Sequence, residues 1–150
     1  MADEYDVIVI GGGPAGENVA GRCAEGGLQT VLVERELVGG ECSYWACMPT
    51  KAMLRPGDAL AAVRRVPGAR RAVTGALDPA EALAWRDAVA TNWDDRYQVQ
   101  WLEDAKVALV RGHGRLLGAR QVEVETEERP LVGYVAPTPI SDPERRRPRG

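Results

Sequence analysis

The strongest constraint on how this chain folds lies between Tyr5 and Glu34. Tyr5 to Ile10 is mostly apolar and β-branched, and it runs directly into Gly11-Gly12-Gly13-Pro14-Ala15-Gly16. A short apolar run closed by glycines predicts a buried strand followed by a tight turn. Gly11, Gly13 and Gly16 fit G-x-G-x-x-G, a spacing that lets backbone amides approach a pyrophosphate and lets the next helix pack closely. That helix is expected from Pro14 to Glu25, with Val19, Ala20, Cys23 and Ala24 at helical spacing and Cys23 as a core residue. Gly26-Gly27 stops it, and Gln29 to Val33 forms a second apolar strand ending at Glu34. An acid there, about 20 residues after the glycines, is placed to bond a ribose diol. A glycine fingerprint alone is weak, and its plain alternative is a turn that binds nothing. Strand, glycines, helix and acid in this order point to a dinucleotide site.

The second feature is Gly39-Gly40-Glu41-Cys42-Ser43-Tyr44-Trp45-Ala46-Cys47-Met48-Pro49-Thr50-Lys51, which holds two of the three cysteines. Three uses compete. Structural zinc takes four Cys or His ligands in paired clusters, and only Cys23 and His113 remain elsewhere, so metal is disfavoured. Two small buried side chains are a plainer reading, because free Cys packs as a small hydrophobe. A dithiol/disulfide pair is the reading preferred. On a regular helix, residues so spaced have Cα atoms about 8 to 9 Å apart, beyond the roughly 7 Å a disulfide tolerates. The two sulfurs therefore bridge only if the chain between them is distorted or not yet helical, and Gly39 and Gly40 supply permissive backbone just upstream. A helix starting here and continuing through Lys51 and Ala52 would set its N-terminal end near the sulfurs, which favours thiolate.

The rest of the chain bounds the answer. At 150 residues there is room for one domain, and a formal net charge of -3 gives no basic field for nucleic acid. Trp93 and Trp101 lie near Asp87, Asp94 and Asp95, so they are expected to serve in the core or to pack between elements and not to stack on bases. No secretory leader or membrane span is evident, and the expected compartment is the cytoplasm, where a disulfide is usually transient and catalytic. Ala52 to Val66 is expected to be helical with a bend or restart at Pro56-Gly57. Asp78-Pro79-Ala80-Glu81 has the pattern of a helix start, and Ala82 to about Trp101 predicts a helical pair or one long helix. Val107 to Val110 is a third strand, Arg111 to Arg115 a loop, and Leu116 to Glu125 a hairpin. His113 has no partner visible in sequence and is not assigned as a base. From Thr126 onward the chain turns proline- and arginine-rich, without strand or helix periodicity after about Val135, and predicts a poorly ordered tail.

Together, the Gly11 to Gly16 fingerprint, Glu34 and the Cys42-x4-Cys47-Met48-Pro49-Thr50-Lys51 run resemble the amino-terminal part of the flavin-dependent pyridine nucleotide-disulfide oxidoreductases. Dihydrolipoamide dehydrogenase, glutathione and mycothione reductases and mercuric reductase belong to that family. The resemblance covers residues 5 to about 125, and the cysteine run is specific to the family. Three departures stand out: Glu41 where Thr is common, Trp45-Ala46 where Val-Gly is common, and Thr50 in place of Ser. By the resemblance, the Glu41 change would leave the family's hydroxyl contact to the cofactor without its donor.

The resemblance implies an α/β, Rossmann-like FAD-binding domain, a parallel sheet with a small β-hairpin or meander, incomplete relative to the family. It would occupy residues 1–125, with the tail at 126–150. Gly11, Gly13 and Gly16 would hold the FAD pyrophosphate, with Pro14, Ala15 and Gly40 also among the cofactor-binding residues. Glu34 would hold the adenosine ribose, and Gly114 would meet the adenine through its backbone. Cys47 would face the flavin, Cys42 would exchange with substrate, and Lys51 would sit near the reactive flavin nitrogen. Electrons would pass from NAD(P)H to FAD, to Cys42-Cys47, and on to a small disulfide or metal-ion substrate. The family's nicotinamide fingerprint, later flavin-ribitol aspartate and dimer-forming domain with its His-Glu pair have no counterpart in these residues. The chain therefore reads as a truncated or frame-shifted relative. The alternatives are a non-catalytic nucleotide-binding or interaction fragment that needs a second chain, and a small thiol-redox module independent of flavin.

Overall fold

The computed structural model describes residues 3–126 and the backbone of 130–135. In chain order the elements are β1 (Asp3–Tyr5), β2 (Val7–Ile10), α1 (Pro14–Glu25), β3 (Thr30–Glu34), α2 (Gly40–Tyr44) and α3 (Cys47–Arg65). They continue with α4 (Pro79–Val89), α5 (Arg96–Asp104), β4 (Ala108–Arg111), β5 (His113–Gly118), β6 (Gln121–Glu125) and β7 (Pro130–Val135). Two compact units result: residues up to Gly40 with those from Asp95 onward, and Glu41–Asp94.

The first unit is α/β and Rossmann-like, as expected. Its parallel sheet has the order β2-β3-β4, with Val7 opposite Thr30 and Val31 opposite Ala108. Strand β3 is buried along its whole length because both of its faces are covered. Leu32 points into a cluster with Ala20 of α1, Val38, Leu102 of α5 and Val107. Its neighbour Val33 points the other way, toward Val122 and Val124 of β6. The period of two along a strand thus makes one element the floor of two cores. Cys23 of α1 is only partly buried and belongs to neither cluster.

A second sheet, ordered β1-β7-β6-β5, pairs β5 with β6 and β6 with β7 antiparallel and β1 with β7 parallel. Three features here differ from the sequence reading. The first strand is divided at Asp6, whose amide donates to the Gln29 carbonyl and whose carboxylate accepts from the Gln29 amide, so β1 and β2 join different sheets. The expected loop at Arg111 to Arg115 ends at Gly112, and β5 starts at His113 opposite Glu125. Gly112 has φ +151°, and a Cβ there would stand 2.5 Å from the Glu125 carbonyl oxygen, so only glycine makes this corner. Finally, Pro130–Val135, inside the segment assigned to the tail, pairs with β6. Pro130 takes the first strand position, the one place in a strand where a missing amide is readily tolerated. Residues 136–150 of the expected tail lie outside the described residues.

The second unit is helical. Asp78 caps α4 as expected, its carboxylate accepting from the amides of Ala80 at 2.8 Å and Glu81 at 3.3 Å. Helix α3 runs through Pro56 without a break, where a bend or restart was expected. The 82–101 stretch is two helices, not one. A turn at Thr91–Trp93, with φ of 53°, 50° and 57°, ends the right-handed path of α4. Trp93 is partly exposed with the Arg86 guanidinium 5.5 Å from its ring centroid, and Trp101 is also partly exposed, so neither is a core residue.

Leu32 is fully buried whereas Leu116 of β5 is 77% exposed. Leu32→Ala is expected to lower the unfolding free energy by roughly 2 to 5 kcal/mol, and Leu116→Ala to change it by about 0.5 kcal/mol or less. Urea denaturation of both variants checks the contrast.

Candidate functional site

The glycine turn and Glu34 meet at the carboxyl ends of β2 and β3. Gly11 leaves β2 with φ +99°, donating its amide to the Val33 carbonyl at 2.8 Å. Gly16 packs α1 against this turn so closely that a Cβ on it would stand 1.9 Å from the Gly11 carbonyl oxygen. Gly13 is the N-cap of α1 and has no capping side chain, and a Cβ built on it would meet nothing within 4 Å. Pro14 follows with no amide to leave unpaired, and the amides of Ala15 and Gly16, in the first turn, have no intrahelical acceptor. The turn therefore offers outward-facing donors at the positive end of a 12-residue helix, with room above Gly13. That is what a pyrophosphate requires, so the residues present fit the diphosphate of a dinucleotide such as FAD.

Glu34 is 8% exposed, and its two carboxylate oxygens are already engaged. Oε2 accepts from the Gly12 amide at 2.6 Å and Oε1 from the Glu36 amide at 2.7 Å. Each oxygen keeps further lone-pair capacity for a ribose hydroxyl. The structure thus adds a role that the sequence did not indicate: the acid pins the glycine turn to the end of β3. Gly114 of β5 lies over the same strand ends, where its Cβ would stand 3.2 Å from Val33 Cγ1 and 3.3 Å from Ile10 Cγ2. Gly40, with φ +56°, comes so near that its Cβ would stand 2.8 Å from the Gly13 Cα. One place in the first unit thus collects Gly11, Gly13, Pro14, Ala15, Gly16, Glu34, Gly40 and Gly114.

Sequence reasoning missed two residues that shape this place. Asp95 Oδ2 accepts from the Val38 amide at 2.8 Å and from Arg111 Nη2 at 2.5 Å, and Arg111 Nη1 donates to the Glu36 carbonyl at 2.5 Å. The pair holds the 35–39 loop from outside, while Gly39 donates to the Gly12 carbonyl at 2.6 Å from within. No local signal marks them, because the partners are 57 and 75 residues apart and Asp95 does not cap its own helix.

The other expected site residues belong to the second unit. Cys42 lies half-buried in α2, and Cys47 is exposed at the first position of α3. Between them the helix breaks. Trp45 and Ala46 both donate to the Glu41 carbonyl, at 3.0 and 2.6 Å, and Ala46 has φ -120° and ψ -89°. The cysteines are thus on two helices and not on one regular turn. Helix α3 is 19 residues long with no acid in its first turn, and Lys51, one turn after Cys47, is exposed. His113 is exposed in β5.

Glu17, in the first turns of α1, is half-buried, and this burial raises its pKa above the ordinary 4.5. Below 4.5 the carboxyl is neutral whether the chain is folded or unfolded; above its folded pKa it is charged in both and the burial penalty is felt in full. Stability is therefore lost as pH rises through that window. Glu17→Gln is expected to melt higher than the parent at neutral pH, with the difference shrinking to nothing on acidification below the ordinary value. Thermal melts across pH check this.

Comparison with known proteins agrees with this arrangement. The sequence pattern of the pyridine nucleotide-disulphide oxidoreductases matches residues 5–132. The chain is 32% identical over 140 residues to a dihydrolipoyl dehydrogenase of Rhizobium etli, covering 93% of this chain and 29% of that one. It is 29% identical over 122 residues to a mercuric reductase of Staphylococcus aureus, covering 81% and 22%. In structure it is similar to the copper(II) complex of the HOCl-induced flavoprotein disulfide reductase RclA from Escherichia coli, with TM-score 0.71 and 20% identity over 89% of this chain and 27% of that one. The chain spans under a third of the length of the curated relatives it matches. With the family pattern extending over most of the residues that build the glycine turn, the acid and the two-helix cysteine segment, the chain belongs to the pyridine nucleotide-disulphide oxidoreductase family.

Proposed function

We propose that this chain is the FAD-binding, dithiol-bearing part of a flavin-dependent dithiol/disulfide oxidoreductase, with β7 included in its flavin-binding domain. The observation that carries the reading is the turn itself: Gly16 admits no side chain, Gly13 faces open space, and Glu34 closes the far end. A turn that bound nothing would not need a glycine at Gly13, whose φ of -76° suits any residue.

Bound FAD would supply two-electron transfer between a nicotinamide and the sulfur pair. Gly11, Gly13 and Gly16 would hold its pyrophosphate, with Pro14, Ala15 and Gly40 beside it, and Glu34 its ribose, with Gly114 against the adenine. Lys51 and the N-terminus of α3 would hold negative charge beside Cys47. In the reduced dithiol, the Cys42 thiolate attacks one sulfur of a disulfide substrate and releases the other half as a thiolate, which takes up a proton. The Cys47 thiolate then attacks the Cys42 sulfur, closing the Cys42-Cys47 bond and releasing the second half. Two electrons leave the pair and the substrate disulfide becomes two thiols. The helix break at Trp45-Ala46 supports this role, because a continuous helix would hold the sulfurs apart. The nicotinamide site, the acid/base pair and the family's dimer contacts are proposed to lie in the part of the relatives that this chain does not span. Small disulfides or metal ions are the substrate classes, and the cytoplasm is the proposed compartment. Among the described residues no helix is long and apolar enough to cross a membrane.

Added FAD is expected to raise the melting temperature and leave a yellow, flavin-retaining protein. At about 100 times its Kd the gain is about 2.7 kcal/mol. Gly13→Val should fold as well as the parent yet lose the shift, since the new side chain enters the open space. A parent with no flavin absorbance and no shift removes the reading. Mild oxidation is expected to remove two hydrogens from the chain and protect Cys42 and Cys47 together from alkylation. Peptide mass spectrometry checks this, and Cys47→Ser should abolish it; separate alkylation of the two cysteines after oxidation counts against a redox pair.

A further inference from the structure

Helices α1 and α5 bound a cleft of about 320 Å³ lined by Glu17, Asn18, Tyr97, Gln98 and Trp101, all in the first unit. Its polar groups share one character, because the oxygens left over are acceptors. The Glu17 carboxylate has no hydrogen bond or ion pair among the described residues and is desolvated. Gln98 Oε1 is buried and has no partner among the described residues. Asn18 uses its Nδ2 on the Pro14 carbonyl at 2.8 Å, which leaves Oδ1 as its available group. A half-buried unpaired carboxylate and a buried unpaired carbonyl both destabilise the protein alone; a donor arriving in the cleft would relieve the carboxylate directly, and the carbonyl once the Gln98 side chain turns toward it.

The aromatic pair sets the shape of that donor. The Trp101 ring packs against α1 so tightly that a Cβ on Gly21 would stand 3.0 Å from its rim. Tyr97 stands 69% exposed at the mouth. Two aromatic rings lining a cleft together with a carboxylate favour a positive charge carried on an alkyl stem. An anion is repelled by Glu17, and a bare metal ion would find a single carboxylate and two rings that do not ligate hard cations. The leftover carbonyl oxygens require N–H donors, which a quaternary ammonium lacks.

We propose that this cleft is a binding site for an organic cation bearing a primary ammonium group, with Glu17 and Gln98 as its acceptors and Trp101 and Tyr97 flanking its stem. The site stands on the cleft alone and does not depend on flavin being bound.

Calorimetric titration of the full chain with 1,4-diaminobutane tests it, with butanedioate as the anion of the same length and tetramethylammonium as the cation without donors. Saturable binding of the diamine is expected at one site per chain, weakened by salt, with neither control bound at the same concentrations. Glu17→Gln, close in shape to the parent side chain, should weaken it by about tenfold or more, as loss of a charged partner does. The diamine should shift the NMR signals of the Trp101 indole and the Gln98 side-chain amide. No binding, equal affinity in Glu17→Gln, equal binding of either control, or shifts confined to other residues would each overturn the proposal. Flavin retention, read by absorbance in the same samples, scores the flavin-binding reading separately.

Discussion

A carboxylate buried to the degree of Glu34 would destabilise any fold by several kcal/mol if its oxygens met nothing. Here they meet the amides of Gly12 and Glu36 at 2.6 and 2.7 Å, charge-assisted contacts that are shorter and stronger than neutral ones. The rest of the first unit's functional end depends on this arrangement. With Gly12 held, the turn cannot swing away from β3, and with Glu36 held, the chain leaving β3 must bend back toward the turn. A side chain on Gly12 would crowd its neighbours, since a Cβ would lie 3.0 Å from Leu32 Cδ2 and 3.2 Å from Glu34 Oε2. The acid expected to meet a ligand is therefore also the anchor that gives the ligand site its shape.

Two further layers rest on that anchor. Beneath it, β3 sends Leu32 toward α1 and α5 and Val33 toward β6, so the strand that ends in Glu34 is fixed on both faces. Around it, Asp95 and Arg111 hold the 35–39 loop through one main-chain amide and one main-chain carbonyl. Such contacts do not depend on the side chain at 36, whereas Val38 is held in addition by its place in the core.

Legibility followed the range of the forces involved. The bounds of α1, Pro14 to Glu25, and the cap of α4 at Asp78 follow from proline, glycine and aspartate chemistry within one turn, and both were readable. Pro56 was overestimated, because a long helix can continue past one missing donor. The start of β5 at His113 and the strand at Pro130–Val135 depend on partners in β6, and glycines or prolines at their ends disguised them as loop and tail. The split of Tyr5 to Ile10 at Asp6 is a sheet-level event that no local pattern announces. At the candidate site, the glycines and Glu34 were visible as a motif, whereas Asp95 and Arg111 were not, since each is an ordinary surface residue until the chain brings β4 and α5 to the same loop.

By itself the sequence determined the α/β class, the glycine turn, the acid at the end of β3 and the spacing of the two cysteines. These are set by backbone sterics and by short-range periodicity, which need no distant partner. Only the tertiary structure decided that Glu34 serves as an anchor and that Asp95 and Arg111 hold the loop. It also decided that the chain between Cys42 and Cys47 breaks at Trp45-Ala46, and that Glu17 and Gln98 share a cleft without partners of their own. Those outcomes turn on burial and on contacts between residues far apart in the chain, and burial exists only once the elements have packed.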